Sequence, residues 1–149
     1  MSEQVKNITG AFGRTGLNET ADRKTLDVEA SGAITAGDVV VWDTQNTDDK
    51  PTVAQADVSE TTEVVAVAGI AVNAASASGD VVTIVRDGPA LCNISTGTVA
   101  FKEKAIFHAS ADGCADGETP TGSEDGDYFG TWLGAEIGST NQAVLDVRL

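Results

Sequence analysis

The tetrapeptide Gly-Asp-Val-Val occurs twice, at Gly37–Val40 in "TAGDVVVWD" and at Gly79–Val82 in "ASGDVVTIVRDG". Each copy joins a turn signal to a β-branched run. Glycine reaches positive φ without steric cost, and an aspartate beside it hydrogen-bonds its own backbone. Val, Ile and Thr then favour a pleated strand. A chain punctuated this way has little room for long helices.

The rest of the chain follows the same habit. "LDVEASG" alternates Leu26, Val28 and Ala30 with Asp27, Glu29 and Ser31, the period of a half-buried strand. "ITAGDVVVWD" reads as a turn and a second strand ending at Trp42. The stretch 44–63, "TQNTDDKPTVAQADVSETTE", reads as a polar linker in which Pro51 disfavours a central strand. "VVAVAGIAVNAAS" is a buried-type run interrupted by Gly69, and "SGDVVTIVRDGPA" adds a strand that the Asp87-Gly88-Pro89 turn should close. "TVAFKEKAIFHAS" has helix formers, but strand is preferred for "AIFHAS". "ADGCADGETPTGSEDGD" reads as a long acidic loop, and "YFGTWLGAEIGSTNQAVLDVRL" as two closing strands. The expected fold is mainly β: a compact β-barrel or β-sandwich of short strands, with an extended N-terminal arm.

The two halves echo one another. Val39–Trp42 lines up with Ala105–His108, Gly69–Val72 with Gly134–Ile137, and Val82–Arg86 with Val144–Arg148. The order is strand, long excursion, small-residue strand with a central glycine, polar turn, terminal strand, and then the same again. This gives pseudo-repeats over 32–89 and 98–149 inside one β domain, 26–149. Internal duplication and a recurring hairpin grammar both account for the echo.

Residues 1–25 are polar, with isolated apolar side chains at Val5, Ile8, Phe12 and Leu17 and no period of 3.6 or 2.0. Two readings stand: a frayed terminus, or an arm that orders when laid along a neighbour. The opening "MSEQVKNITG" has no apolar core of the kind a secretory signal carries.

Charge and composition exclude several functions. With 23 acids against 9 bases the net charge is −14, which opposes binding to phosphate backbones or anionic membranes. The chain is 41% hydrophobic but only 5% aromatic, so its core is built of small residues that suit sheets better than a bulky ligand cavity. Oligomerisation would help such a core. A single histidine, His108, and two cysteines, Cys92 and Cys114, outside any C-x-x-C spacing do not make a zinc site. In a chain made in the cytosol the cysteines are expected as reduced thiols. No G-x-S-x-G elbow, phosphate loop or dinucleotide fingerprint is present, so no catalytic residue and no cofactor is assigned. The acids Asp112, Asp116, Glu118, Glu124, Asp125 and Asp127 are dense enough to consider calcium, but Cys114 occupies the third position of the EF-hand spacing. A solvated loop and no metal is the expectation.

Trp42 and Trp132 read as core anchors. Trp42 ends a strand beside a polar segment, so it is also the candidate for a subunit interface, where large aromatics concentrate binding energy. Arg86 and Arg148, at matching places in the two halves, are the candidates for pairing acids across subunits.

The run "AGDVV…VAGIAVNAASASGDVVTIVRDGPA" resembles phage head proteins of the capsid decoration or cement family. There a Gly-Asp pair enters a strand, a small-residue strand with a glycine follows, and then an "A-SG--V-V---G" hairpin. The resemblance spans Gly32 to Leu149 and rests on small, common residues. It implies a non-enzymatic virion protein, made in the host cytoplasm. Such a protein forms homotrimers on the outer surface of the capsid and cements adjacent capsomers. It also implies the major capsid protein as partner, without nucleic acid or membrane, and Val5, Ile8, Phe12 and Leu17 as arm anchors on the shell. A tail- or fibre-associated β module and a small cytosolic metal- or ligand-binding domain are the alternatives.

Overall fold

The structure, a computed structural model, describes residues 23–43, 51–57, 67–95, 99–107, 111–118 and 128–149. The expected arm residues Val5, Ile8, Phe12 and Leu17 lie outside the described residues, as do His108, Glu124, Asp125 and Asp127. Among the described residues there are nine strands and no helix: β1 Lys24–Ala30, β2 Val39–Trp42, β3 Thr52–Gln55, β4 Val67–Ala71, β5 Val81–Asn93, β6 Lys104–Phe107, β7 Ala115–Glu118, β8 Gly130–Trp132 and β9 Gln142–Arg148. The fold is mainly β.

The first five strands close on themselves. β1 pairs with β3 in parallel, β3 with β2, β2 with β4, β4 with β5, and β5 returns antiparallel to β1, giving a closed five-stranded barrel. The remaining strands repeat that circuit. The second half of β5 pairs antiparallel with β9, β9 with β8, β8 with β6 and β6 with β7. A parallel bridge from Ile94 to Ala115 closes the second ring. β5 is therefore the last strand of one barrel and the first of the next.

The registers show which residues are twins. Ala30 pairs with Val53, and Ile94 with Ala115. Val28 faces Val82, and Cys92 faces Ala143. Val40 faces Gly69, and Ala105 faces Gly130. The turns agree: Asp38 N–H donates to Thr35 O at 3.1 Å and Glu103 N–H to Ala100 O at 3.1 Å, while Gly37 N–H donates to Ala71 O and Lys102 N–H to Trp132 O. Gly69 is thus the twin of Gly130 rather than Gly134, and Val82 of Ala143 rather than Val144. Arg86 matches Val147, and Arg148 matches Asp87, so the two arginines are not equivalent. A one-residue slip turns every side chain of a strand to the other face, and the shared V-x-x-V-R spelling invites that slip.

Three local expectations are corrected. β3 begins immediately after Pro51, inside the supposed linker; a proline just outside a strand removes no ladder bond. β7 lies inside the acidic stretch, held between β6 and the end of β5. Asp87-Gly88-Pro89 is no turn, because β5 runs through it for 13 residues. Gly88 there has φ 105°, which lets the strand redirect as it leaves the first barrel. The Pro89 carbonyl accepts from Arg23 Nη1 at 3.3 Å. A strand residue points its N and O to one side, so the N–H that Pro89 lacks lies on the Arg23 edge.

The repeated Gly-Asp is turn grammar. Gly37 and Gly79 both have φ 92°. Asp38 Oδ2 accepts from Thr35 N–H at 2.7 Å, and Asp80 Oδ2 from the N–H groups of Ser76 and Ala77. Yet one pair opens the second strand of its unit and the other opens the last, so the two copies are not twins of each other.

Each barrel has its own core. Val28, Ala30, Ile34, Val40, Val53, Ala68, Ala71, Val82 and Ile84 fill the first, with Trp42 against it. Cys92, Ile94, Val99, Ala105, Ala115, Phe129, Trp132, Ala143 and Leu145 fill the second. Val39, Val41, Ile70 and Val85, on the outer face of the first barrel, join that second cluster. β2 is buried on both faces, which explains its unbroken VVV run.

Gly69 and Gly130 mark the same close approach. A Cβ on Gly69 would stand 2.5 Å from Val85 O, and one on Gly130 would stand 2.7 Å from Asp146 O. Backbone carbonyls in a paired strand cannot step aside. Gly69→Ala and Gly130→Ala are each expected to cost roughly 2–3 kcal/mol in urea unfolding, the scale of overpacking. Losses below about 0.5 kcal/mol would show that the strands part easily.

Candidate functional site

The most constrained polar chemistry lies where the two barrels meet. Asp38 is 3% exposed, with apolar Val39 and Val40 following it into the core. Its Oδ2 accepts from Thr35 N–H at 2.7 Å and Gln55 Nε2 at 2.8 Å, and its Oδ1 accepts from Asn93 Nδ2 at 2.9 Å. Asn93 Nδ2 also donates to Ala36 O, and Gln142 Nε2 donates to Asn93 Oδ1 at 2.9 Å. Thr35, Asp38 and Gln55 belong to the first barrel; Asn93 and Gln142 belong to the second.

The backbone is laced through the same place. Asn93 N–H donates to Gly37 O, Val39 N–H to Gly113 O and Gly113 N–H to Ala56 O, each at 2.8 Å. The segment Gly37–Val39 is therefore wedged between the end of β5 and the approach to β7. Burial pushes the Asp38 carboxyl above the usual carboxylate range; its hydrogen bonds oppose the rise, and Asp112 nearby adds to it. Cys114, half-buried, is pushed up by burial and by the Asp38 and Asp112 charges; Cys92 is fully buried and pushed up strongly by burial. Both thiols are free.

Beside this junction runs a groove of about 180 Å³ lined by Arg23, Gly37, Val72, Leu91 and Gln142, among others. Sites for small molecules are usually ~300–1,000 Å³. Its size and its place along the boundary make it a seam between the units.

The sequence-predicted interface residues fall in two places. Trp42 is partly buried against the first core, and the Arg86 guanidinium lies over its ring, 5.8 Å from the centroid. Arg86 Nε also donates to Ala68 O at 3.2 Å. Together they pack against the first core. Arg148 is exposed and pairs within its own chain with Asp87 and Asp146, each at 3.0 Å. The structure does not bring Arg148 to Trp42 and Arg86. Trp132 is fully buried, and its Nε1 donates to Asp116 O at 3.0 Å.

Of the acidic stretch, Asp112, Asp116 and Glu118 are described; Asp116 Oδ1 accepts from Gly117 N–H, and Glu118 stands opposite Lys104 in the β6–β7 ladder. Among the described residues no group of three or more His, Cys, Asp or Glu is placed to hold a metal ion. Sequence reasoning had Asp38 only as a turn residue and had no role for Gln55, Asn93 or Gln142. The available signal was an acid set directly before a continuous apolar run.

No family model matches the chain, and no curated protein sequence matches it. Among solved structures, it is similar to the N base of the head fiber protein gp8.5 of bacteriophage phi29. The TM-score is 0.58 at 13% identity, covering 84% of this chain and 93% of that one. At that identity the likeness is one of fold.

Proposed function

We propose that the chain is a non-enzymatic structural protein of a phage virion, displayed as a homotrimer on the outer surface of the capsid, where it binds the major capsid protein and cements adjacent capsomers. The observation that carries this reading is the fold likeness to a head fiber base, which takes in nearly the whole of both chains. The sequence resemblance to capsid decoration proteins supports it independently. The acidic surface suits a particle exterior, since net charge of one sign keeps such surfaces from sticking. Because the similar structure is the base of a fiber, a fiber-associated β module on the head is the second reading.

Mechanically, the protein would add contact area between capsomers that already hold together. Three weak contacts on one rigid trimer act as a strong one through effective concentration. In this reading the arm, 1–25, supplies Val5, Ile8, Phe12 and Leu17 as shell anchors, and Trp42, Arg86 and Arg148 line the trimer contact. Mass spectrometry of purified virions, with cryo-electron microscopy of particles carrying and lacking the protein, tests the assignment. Absence from virions rejects it.

Arg23 and Lys24 belong to the folded barrel, through Pro89 and β1, so an arm deletion must stop at residue 22. Removing 1–22 is expected to lower capsid attachment at least about tenfold while leaving the circular dichroism and oligomer mass unchanged. Attachment that stays the same removes the arm from the binding scheme.

A further inference from the structure

The twinned registers also place the exposed apolar residues. In the internal junction, Ala36, Gly37 and Val72 of the first barrel meet Leu91, Asn93 and Gln142 of the second. Their twins are Phe101, Lys102 and Leu133 at the far end of the second barrel, and Asp27, Glu29 and Val81 on the outer face of the first. Inside the chain these twins do not meet. Phe101 is 62% exposed, Leu133 42% and Val81 59%, which accounts for three of the five large hydrophobics that face solvent among the described residues.

The substitutions between twins make sense as a surface contact. Alanine at position 36 becomes phenylalanine at 101, and valine at 72 becomes leucine at 133, so the second end carries more apolar area than the first. Gly37, whose added Cβ would collide with Asn93 Oδ1, becomes Lys102. Asn93 becomes Glu29, with Asp27 next on the same face. A cation and two acids therefore stand where the internal junction has a glycine, an amide and a leucine, and the second amide, Gln142, becomes the apolar Val81. The Lys102 ammonium lies over its neighbour Phe101, 5.4 Å from the ring centroid, so charge and apolar surface form one patch.

We infer that a second copy of this chain docks head to tail through these faces, with Phe101, Lys102 and Leu133 of one protomer against Asp27, Glu29 and Val81 of the next. The contact is shallower than the internal one. In the first barrel β1 pairs directly with β3 at Glu29–Thr52, which closes the slot that receives Gly37–Val39 in the second barrel. Lysine at 102 is also too large for such a slot, and its chain reaches the Glu29 carboxylate instead. Two different patches make the contact heterologous, so copies join into a ring where the rotation closes and into an open chain where it does not. The patches are small, so the association is weak in dilute solution and gains strength where copies are held close together. The inference rests on the twinned register and not on the virion reading.

Sedimentation velocity on the full chain, from ~10 µM to ~1 mM, tests it across the range of weak contacts. The wild type is expected to grow in mass with concentration. Lys102→Glu should weaken association about tenfold, and Glu29→Lys likewise, while the double swap restores it, since the pair is re-formed with its signs exchanged. Phe101→Asp and Val81→Asp should each weaken association roughly thirtyfold or more. An equimolar mixture of those two variants should stop at 1:1 dimers, because only one intact head and one intact tail remain per pair. A wild type that stays monomeric overturns the contact, as it would if the chain's own N-terminal segment covered the patch, and it overturns the proposed trimer as well. An oligomer untouched by the charge swaps overturns this contact alone and leaves the trimer reading in place.

Discussion

Trp132→Ala is expected to destabilise the protein by about 4 kcal/mol in urea unfolding, the largest single-residue loss within the second core. Trp132 is fully buried and its Nε1–H donates a hydrogen bond to Asp116 O, so truncation empties the centre of a barrel and leaves a carbonyl without that donor. Its twin in the first barrel is Ala71, which raises the question of why one ring needs a tryptophan where the other needs a methyl group. The neighbours answer it. Val40, Val53 and Val82 in the first ring correspond to Ala105, Ala115 and Ala143 in the second. One barrel is filled by a collar of valines; the other has a collar of alanines and a tryptophan in the middle.

That exchange makes a rescue experiment possible. In the Trp132→Ala background, adding Ala105→Val, Ala115→Val and Ala143→Val should recover roughly half of the loss, because the first barrel's filling is being copied into the second. In the wild-type background the same three changes should cost about 2 kcal/mol by overpacking. The signs are opposite, so the coupling is larger than the error of either measurement. Trp42 fluorescence reports the unfolding in the variants. Because β5 is shared by both rings, a single transition is expected. If the valines destabilise both backgrounds equally, the two cores do not use the same volume plan.

Much of this architecture was legible in the residues, and the parts that were not share a cause. The β class followed from Gly-Asp turns and β-branched runs. The alternation in "LDVEA" located β1 to within two residues. What local pattern missed was pairing. β3 and β7 are four residues each, polar enough to pass for loop, and exist because neighbouring strands supply their hydrogen bonds. Gly88-Pro89 looks like punctuation and is a bend inside a strand. The twofold echo was visible, but residue matching followed the spelling V-x-x-V-R, whereas the registers follow which side chains face inward. Arg86, which shares the inward parity of Val82 and Ile84 and lies over Trp42, and outward-facing Arg148, which pairs with Asp87, are the clearest casualties of that slip. The junction was illegible for a different reason: Asp38, Gln55, Asn93 and Gln142 are far apart in the chain and share no spacing.

Removing the Asp38 carboxylate should also have a large effect, about 3 kcal/mol at neutral pH for Asp38→Ala, because Thr35 N–H, Gln55 and Asn93 would all lose their acceptor at a buried place between the barrels. Asp38→Asn separates the hydrogen bonds from the charge. Burial, the largest influence on this carboxyl, holds its folded pKa above the ordinary 3.8, and Asp112 acts in the same direction. A raised folded value means that the native state holds the proton more tightly than the unfolded chain does. The stability that this gives is fully present below the ordinary value and is lost as pH rises through the folded one. Wild type should therefore lose stability relative to Asp38→Asn as pH climbs from about 3 through the acid range, and the gap should stop changing once Asp38 is ionised. Cys114 and Cys92, the two thiols that feel the Asp38 charge, hold their protons throughout that window, since burial moves both upward. Urea unfolding of both proteins at matched pH and ionic strength measures the gap. A difference that is constant from pH 3 to 7 would mean that Asp38 titrates alike in both states and that its charge is not what the junction pays for.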